Sequence, residues 1–244
     1  MKECSKSLVR RLSNSNFLRR YFVGDGIDIG GKPDPLALYA EFFPLVRSIR
    51  TWDWEDGDAQ HLASVPDQSL DFVHSSHCLE HLVDPAQGLR NWVRVVKPGG
   101  HVVVTVPDED LYEQGVFPST FNRDHKWTFT MLKPASWSDK SINVIDLLRD
   151  LGGEVAIEKI ELLDTTFRGS LPRFDQTLTP VGECGIEFVL RRRLEGEIAD
   201  RGRLPGAGQP SAETRLHLNQ YRDDLQTLKS SNATRPPFTN DEPI

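Results

Sequence analysis

Residues 101–107 read HVVVTVP, four valines and a threonine in seven positions with no Asp, Glu, Lys or Arg among them. β-branched side chains resist helix and suit a pleated strand. A strand with one face in water alternates apolar and polar residues, and this one does not. Both of its faces must therefore be covered, which is the situation of a parallel sheet between two layers of helix. The KPGG before it (97–100) reads as the stop of a helix over DPAQGLRNWVRVV (84–96), where Leu89, Trp92, Val93 and Val96 share one face.

The rest of the chain supplies partners for that strand. GIDIGG (26–31), LVRSIRTW (45–52), LDFVHSS (70–76), EVAIEKIELL (154–163) and GIEFVLRRR (185–193) read as strands. DPLALYAEFF (34–43) has Leu36, Tyr39, Ala40 and Phe43 at helical spacing. SINVIDLLRDLGG (141–153) reads as a helix capped by Ser141 or Asp139 and stopped at Gly152-Gly153. Residues 5–20 suggest a short broken helix with Leu8, Leu12 and Phe17 on one side. Strands alternating with helices predict an α/β fold with a doubly wound, mostly parallel sheet.

Composition narrows the function classes. Of 244 residues 38% are hydrophobic, and the formal net charge is −7. An acidic balance argues against a nucleic-acid partner, which needs a basic face. A local basic segment exists, since Lys2, Lys6, Arg10, Arg11, Arg19 and Arg20 stand against only Glu3 in the first twenty positions. It suits a lid, a surface for an acidic substrate, or a solvated helix. Three dispersed cysteines argue for a reducing compartment. No apolar run approaches the ~18 residues of a spanning helix, so membrane insertion is not expected and the location expected is cytoplasmic. Three regions follow: a basic helical segment (1–20), a central domain (21–193), and a C-terminal linker, short polar helix and disordered tail (194–244). Leu216, Leu218, Leu225 and Leu228 allow a homodimer without making a sustained heptad.

In an open α/β sheet, ligands sit beyond the carboxyl ends of the strands. The first strand-to-helix turn is rich in glycine (Gly24, Gly26, Gly30, Gly31), and Asp53 follows Gly30 by 23 positions, near the spacing of a ribose-binding carboxylate. GIDIGG, GDAQHLASVPDQSLDFVHSSHCLEHL and VVKPGGHVVVTVPD, in this order and separation, resemble the successive motifs of the class I S-adenosylmethionine-dependent methyltransferases over roughly residues 20–192. The resemblance implies a seven-stranded Rossmann-like sheet and S-adenosylmethionine as cofactor. It implies Asp28, Gly30 and Gly31 at the methionine end, Asp53 on the ribose, and Asp58 and Ala59 with Gln60 at the adenine edge. Trp54 could stack on the ring by its position, and Ser75, Ser76 and His77 would line the cleft. One departure stands out: Gly30-Gly31 is followed by Lys32-Pro33-Asp34, where the family usually has more glycine.

The cluster HSSHCLEH (74–81) invites a metal reading, because His77 and His81 are four apart. It straddles a strand–loop–helix junction, so its histidines need not share a face, and no metal is expected there. The aromatic-polar stretch 109–130, with Tyr112, Phe117, Phe121, Trp127 and Phe129, is read as the acceptor side. His125 is the first candidate for general base, with Asp108 and Asp124 next. The acceptor expected is a small molecule or glycan precursor, with O-methylation of a sugar foremost and a quinone or lipid metabolite second. A non-catalytic binding module and a nicotinamide-dependent oxidoreductase are the rivals; the latter wants Gly-x-Gly-x-x-Gly, which GIDIGGKP lacks.

Overall fold

The computed structural model describes residues 2–204 and 211–229. They fall into two compact units, residues 1–202 and 203–244. In the second, the polar segment forms one helix, α6 (Ala212–Lys229). The tail expected to be disordered lies outside the described residues.

The first unit is built on a six-stranded sheet in the order β2-β1-β3-β4-β8-β7. Its strands are β1 (Gly24–Ile29), β2 (Val46–Trp52), β3 (Leu70–Ser76), β4 (Val96–Pro107), β7 (Val155–Leu163) and β8 (Gly185–Arg192). The pairs β1–β2, β1–β3 and β3–β4 are parallel, while β8 runs antiparallel to both β4 and β7. Thus the mostly parallel sheet forms with six strands among the described residues, and the expected seven are not reached. The reason lies in the link between β2 and β3: residues 53–69, with Gly57, Pro66 and four aspartates, make only turns and bends. β2 is left as an edge, and its outer residues are correspondingly exposed.

The strand that opened the argument sits at the centre. Val102, Val103, Val104 and Val106 are all fully buried. Val102, Val104 and Val106 join a core that holds Ile27, Ile29 and Trp92, while Val103 joins a second core with Phe17, Phe22 and Phe72. Each such side chain contributes on the order of 1.5–3 kcal/mol when removed from water. α3 (Pro85–Val95) lies against the first core through Leu89, Trp92 and Val93, its first turn capped by Asp84.

Local chemistry moved several boundaries. The helix stops just before KPGG, as expected, and KPGG is itself the first part of β4, whose register against β3 shifts between Leu70 and Phe72. Residues 36–42 form kinked 3-10 turns where an α-helix was expected, because Pro35 precedes them and the buried Asp28 carboxylate takes the Leu36 N–H at 2.7 Å. Residues 141–143 are a strand (β6) beside β5 (Thr128–Thr130), so the helix begins later, as α4 (Val144–Arg149), capped by Asn143 instead of Ser141 or Asp139. The N-terminal segment breaks where expected, into α1 (Glu3–Leu12) and α2 (Ser15–Tyr21), with Asn14 capping the second through Phe17 N–H.

α1 is basic in composition but does not lie solvated on the surface. Arg11 is buried, donating to Glu187 on β8 at 2.8 Å and meeting the His74 ring at 3.2 Å. Arg10 donates to both Glu183 and Glu187 at 2.9 Å. Helix and sheet are joined by these charge pairs in addition to the apolar packing of Cys4 and Leu8 in the second core.

Candidate active site

The carboxyl ends of β1 and β3 and the start of α1 enclose a cleft of about 180 Å³. Its floor is the turn after β1. Gly30 has φ +70°, and a Cβ there would lie 2.8 Å from Cys78 Cβ; one at Gly31 would lie 2.5 Å from Asp28 Oδ2. Side chains are excluded from both positions, so bare backbone forms this wall. Asp28 beneath it is buried, held by Leu36 N–H and by His74 Nδ1 at 2.6 Å.

Lys32 and Asp34, the departures from the glycine-rich pattern, have their own partners. Lys32 Nζ donates to Glu55 at 3.0 Å, along the edge of the cleft. Asp34 is buried; it accepts Ser5 N–H at 2.9 Å and the Tyr39 hydroxyl. This loop therefore takes another route, and Asp34 uses it to tie α1 over the site. Asp53 stands at the end of β2, with Oδ2 accepting Lys32 N–H at 3.1 Å and Oδ1 accepting Trp54 N–H at 2.8 Å. The turn after β1 and the carboxylate after β2 are thus joined directly.

The remaining residues singled out from the sequence fall in different places. Trp54 is 93% exposed and stacks on nothing in the protein. Asp58 is exposed; its hydrogen bond from His61 and that from Gln60 N–H hold its carboxyl below the usual range. Ala59 offers its carbonyl to Trp92 Nε1 at 2.8 Å. Gln60 is buried and committed to Asp84 N–H and Gln87, fastening the start of α3. Ser75 is buried with its hydroxyl on Ile29 carbonyl, while Ser76 and His77 line the cleft.

The three catalytic candidates do not line it. Asp108 is buried and caps the turn of residues 109–113 through Asp110 and Leu111 N–H. Asp124 is exposed, and its backbone carbonyl accepts from His81 Nδ1 at 3.1 Å. His125 is buried behind the wall, Nδ1 on Glu113 Oε1 at 2.8 Å. The aromatic insert is likewise turned inward: Tyr112 and Phe121 pack with Leu111, Cys184 and Phe167, and Phe129 and Trp127 join the main core. Tyr21 and Phe22, which precede β1, pack away from the cleft, Tyr21 on His101 and Phe22 against Phe43 and Phe72.

What the sequence reading missed is the opposite wall. Glu3 and Cys4 of α1 line the cleft, as do His81 and Asn122. Behind them lies a run of buried titratable groups. Glu80 is fully buried; its Oε1 lies 3.5 Å from His77 Nδ1, 3.9 Å from His81 Nε2 and 3.8 Å from His125 Nε2. Burial alone would raise the Glu80 carboxyl, but His77, His125 and His81 bring it below its ordinary value. Burial would lower His77, but Glu3 and Glu80 outweigh it and hold the imidazole above its ordinary value. His77 itself sits at φ +54°, a left-handed conformation uncommon for a non-glycine residue, with its N–H on Thr105 carbonyl at 2.9 Å. No local pattern could announce this wall, because it assembles residues from positions 3, 80 and 125.

Residues 32–104 match the family pattern of the methyltransferase domain. A solved protein from Bacillus halodurans C-125, described as a methyltransferase, superposes with a TM-score of 0.50 at 12% identity, covering 75% of this chain and 99% of its own. In this stretch the chain is similar to a methyltransferase domain, and its fold matches that of a solved one. A ubiquinone biosynthesis O-methyltransferase of Proteus mirabilis (strain HI4320) is 31% identical over 112 residues, 46% of this chain and 38% of that protein. The match thus spans about two fifths of that curated relative's length. An S-adenosylmethionine-dependent methyltransferase from Archaeoglobus fulgidus is 19% identical with a TM-score of 0.48, covering 79% of this chain and 95% of its own. The family match begins at Lys32, the first of the residues that stand in place of further glycines. The family's cofactor fits the residues present. The Gly30–Gly31 turn presents backbone without side chains to the cleft, and Asp53 has acceptor oxygens at the end of β2.

Proposed function

We propose that this chain transfers a methyl group from S-adenosylmethionine to a hydroxyl of a small-molecule acceptor. The cofactor supplies an electrophilic methyl on a sulfonium, and reaction needs only that it and the acceptor oxygen be held in line. The observation that carries the reading is the continuity of one cleft. It runs from the bare Gly30–Gly31 backbone on one side to His77, His81 and Asn122 on the other. In this reading Asp28 braces the glycine turn, Asp53 holds the ribose hydroxyls, and Trp54 offers its exposed face to the adenine with Asp58 and Ala59 beside it. Gln60 supports that edge through α3. Ser76 and His77 lie between the two ends.

A hydroxyl acceptor gives up a proton, and the His77 imidazole on the acceptor wall is the ring placed to take it. It replaces His125, Asp108 and Asp124, none of which lines the cleft. α1 covers the opening through Glu3 and Cys4, so the basic segment serves as a lid held by charge pairs to β8.

A polar, imidazole-bearing wall suits a hydroxylated acceptor better than a purely apolar one. The saccharide reading rested on aromatic rings that are now packed inward, so a phenolic acceptor of the quinone-precursor type, the class named for the Proteus mirabilis relative, stands beside it. Among the described residues no helix is long and apolar enough to cross a membrane, in keeping with an acceptor met from solution. Purified protein should be incubated with S-adenosylmethionine and a panel of catechols, phenols, sugars and nucleotide sugars. Adenosylhomocysteine release that needs a free hydroxyl, and stops with its methyl ether, is expected. Release that requires an amine or thiol acceptor instead would overturn the assignment to oxygen.

A further inference from the structure

Two groups of metal-ligating side chains converge among the described residues, and they differ in one respect. In the first, Cys4 with Asp28 and His74, the groups already satisfy one another. His74 Nδ1 is on Asp28, its Nε2 faces the Arg11 guanidinium at 3.2 Å, and burial holds the Cys4 thiol far above its usual range. A guanidinium already stands where an ion would have to go.

The second group, Glu80, His81 and His125, is unsatisfied. Their ligand atoms all lie within 4.8 Å of one another. His81 Nδ1 is fixed on the Asp124 carbonyl at 3.1 Å, and His125 Nδ1 on the Glu113 carboxylate at 2.8 Å. A carbonyl or carboxylate oxygen can only accept, so each Nδ1 carries the hydrogen and each Nε2 is left with its lone pair in the neutral ring. Both Nε2 atoms then point at Glu80 Oε1, at 3.9 and 3.8 Å, too far for hydrogen bonds. Neither Glu80 oxygen has a hydrogen-bond partner, nor does His125 Nε2, although both side chains are shut away from water. Three acceptors facing one point in a buried place need a positive charge between them.

The separations suit such a charge. Bonds of ~2.0–2.2 Å from imidazole and carboxylate to one centre place the ligand atoms ~3.3–3.6 Å apart, a few tenths of an ångström inside the two distances to Glu80 and within the 4.8 Å that bounds all three. Anchoring of each ligating imidazole through its other nitrogen to a carboxylate or carbonyl is the outer arrangement that metal-bound histidines almost always have. We propose that Glu80, His81 and His125 bind a divalent first-row transition ion, zinc foremost, at the acceptor end of the cleft. Two imidazoles and one carboxylate leave coordination positions open. The opening is on the side of His81, which is 28% exposed and lines the cleft. An acceptor hydroxyl entering there becomes a ligand of the ion and is turned toward the Gly30–Gly31 side. This last step rests on the methyl-transfer reading above; the binding of the ion does not.

The sequence reading set a metal aside because His77 and His81 straddle a junction. That argument holds for His77, and it says nothing of His125, which folding brings in from 44 positions beyond His81. Glu113 becomes a positioning residue, acting through His125.

The test uses tag-free, chelator-stripped protein titrated with zinc against a chromogenic chelator, and with cobalt followed by its visible absorption. One ion per chain at micromolar affinity or tighter is expected. His81→Ala, which removes a partly exposed side chain, should lose at least about tenfold in affinity, and Glu113→Gln should lose about tenfold with the ligands intact. Glu80→Gln gives a second check in a variant of unchanged shape. Absence of stoichiometric binding of either ion, or wild-type affinity retained in both His81→Ala and Glu80→Gln, overturns the site and leaves imidazolium rings as the charge that satisfies Glu80. Adenosylhomocysteine is titrated into the same stripped protein. If it binds and no ion does, the metal fails and the methyl-transfer reading stands; if an ion binds and it does not, the reverse holds.

Discussion

Arg11 and Glu187 meet across 2.8 Å between α1 and β8, and neither side chain is more than 1% exposed. The pair is the centre of the joint between α1 and the sheet, since Arg10 and Lys159 approach the same carboxylate. Removing one member of a buried pair leaves the other uncompensated, at a cost of about 3–5 kcal/mol. Arg11→Ala is therefore expected to lower the unfolding free energy by that order in urea. The acid limb follows the same carboxylate. Burial pushes the Glu187 carboxyl up, but Arg11 and Arg10 outweigh it and hold the group well below its ordinary 4.5. A depressed carboxylate stabilises the fold above its unfolded value and loses that contribution as pH falls. Stability should decline below about pH 4.5 in the wild type and decline less in Glu187→Gln; parallel curves would remove Glu187 from the account.

Asp108 has the opposite sign. Burial raises its carboxyl from 3.8 to about 6, against the lowering effect of Leu111 and Asp110 N–H. A raised carboxyl favours the fold while protonated, so its contribution is full below about pH 4 and lost as pH rises through 6. Asp108→Asn keeps the capping oxygen and removes the charge. At pH 8 it should gain about 1–3 kcal/mol in chemical denaturation, with no gain at pH 4. A loss at pH 8 would show that the charge is needed there.

Asp53→Ala should weaken adenosylhomocysteine binding by about 1.5–3 kcal/mol, the worth of hydrogen bonds to a charged group. Calorimetric titration measures it directly. Unchanged affinity would move the ribose away from the end of β2.

Trp54 gives a cleaner separation of binding from folding. It is 93% exposed, so Trp54→Ala should shift stability by no more than about 0.5 kcal/mol. If the ring stacks on adenine, the same change should cost about 1–3 kcal/mol of adenosylhomocysteine affinity. Equal affinity in both proteins would mean that the ring faces solvent in the complex as well.

Much of the frame was legible along the chain. The valines of residues 102–106 required cover on both faces, and the two cores on either side of β4 supply it. The Gly30–Gly31 turn was legible because the constraint is local: a positive φ and no room for a Cβ can be read from residue type. Element limits were harder. Asn143 displaced Ser141 as a cap only because residues 141–143 found a strand partner in β5, far enough away to leave no trace in the local pattern.

The acceptor side was misread for a physical reason. Aromatic and polar residues interleaved along one stretch look alike whether the rings face a ligand or a core, and here Tyr112 and Phe129 are buried. The chain by itself determined the α/β class, the order of the strands along it and the glycine turn, because hydrophobic period and backbone freedom are properties of neighbouring residues. Tertiary structure alone decided that α1 is paired to β8 through Arg11 and Glu187, which sets Glu3 and Cys4 in the wall of the cleft. It also decided that Asp34 ties that helix down, and that Glu80, His81 and His125 share a point. Those arrangements depend on charges brought together from distant positions, and their energies exist only once water has been excluded between them.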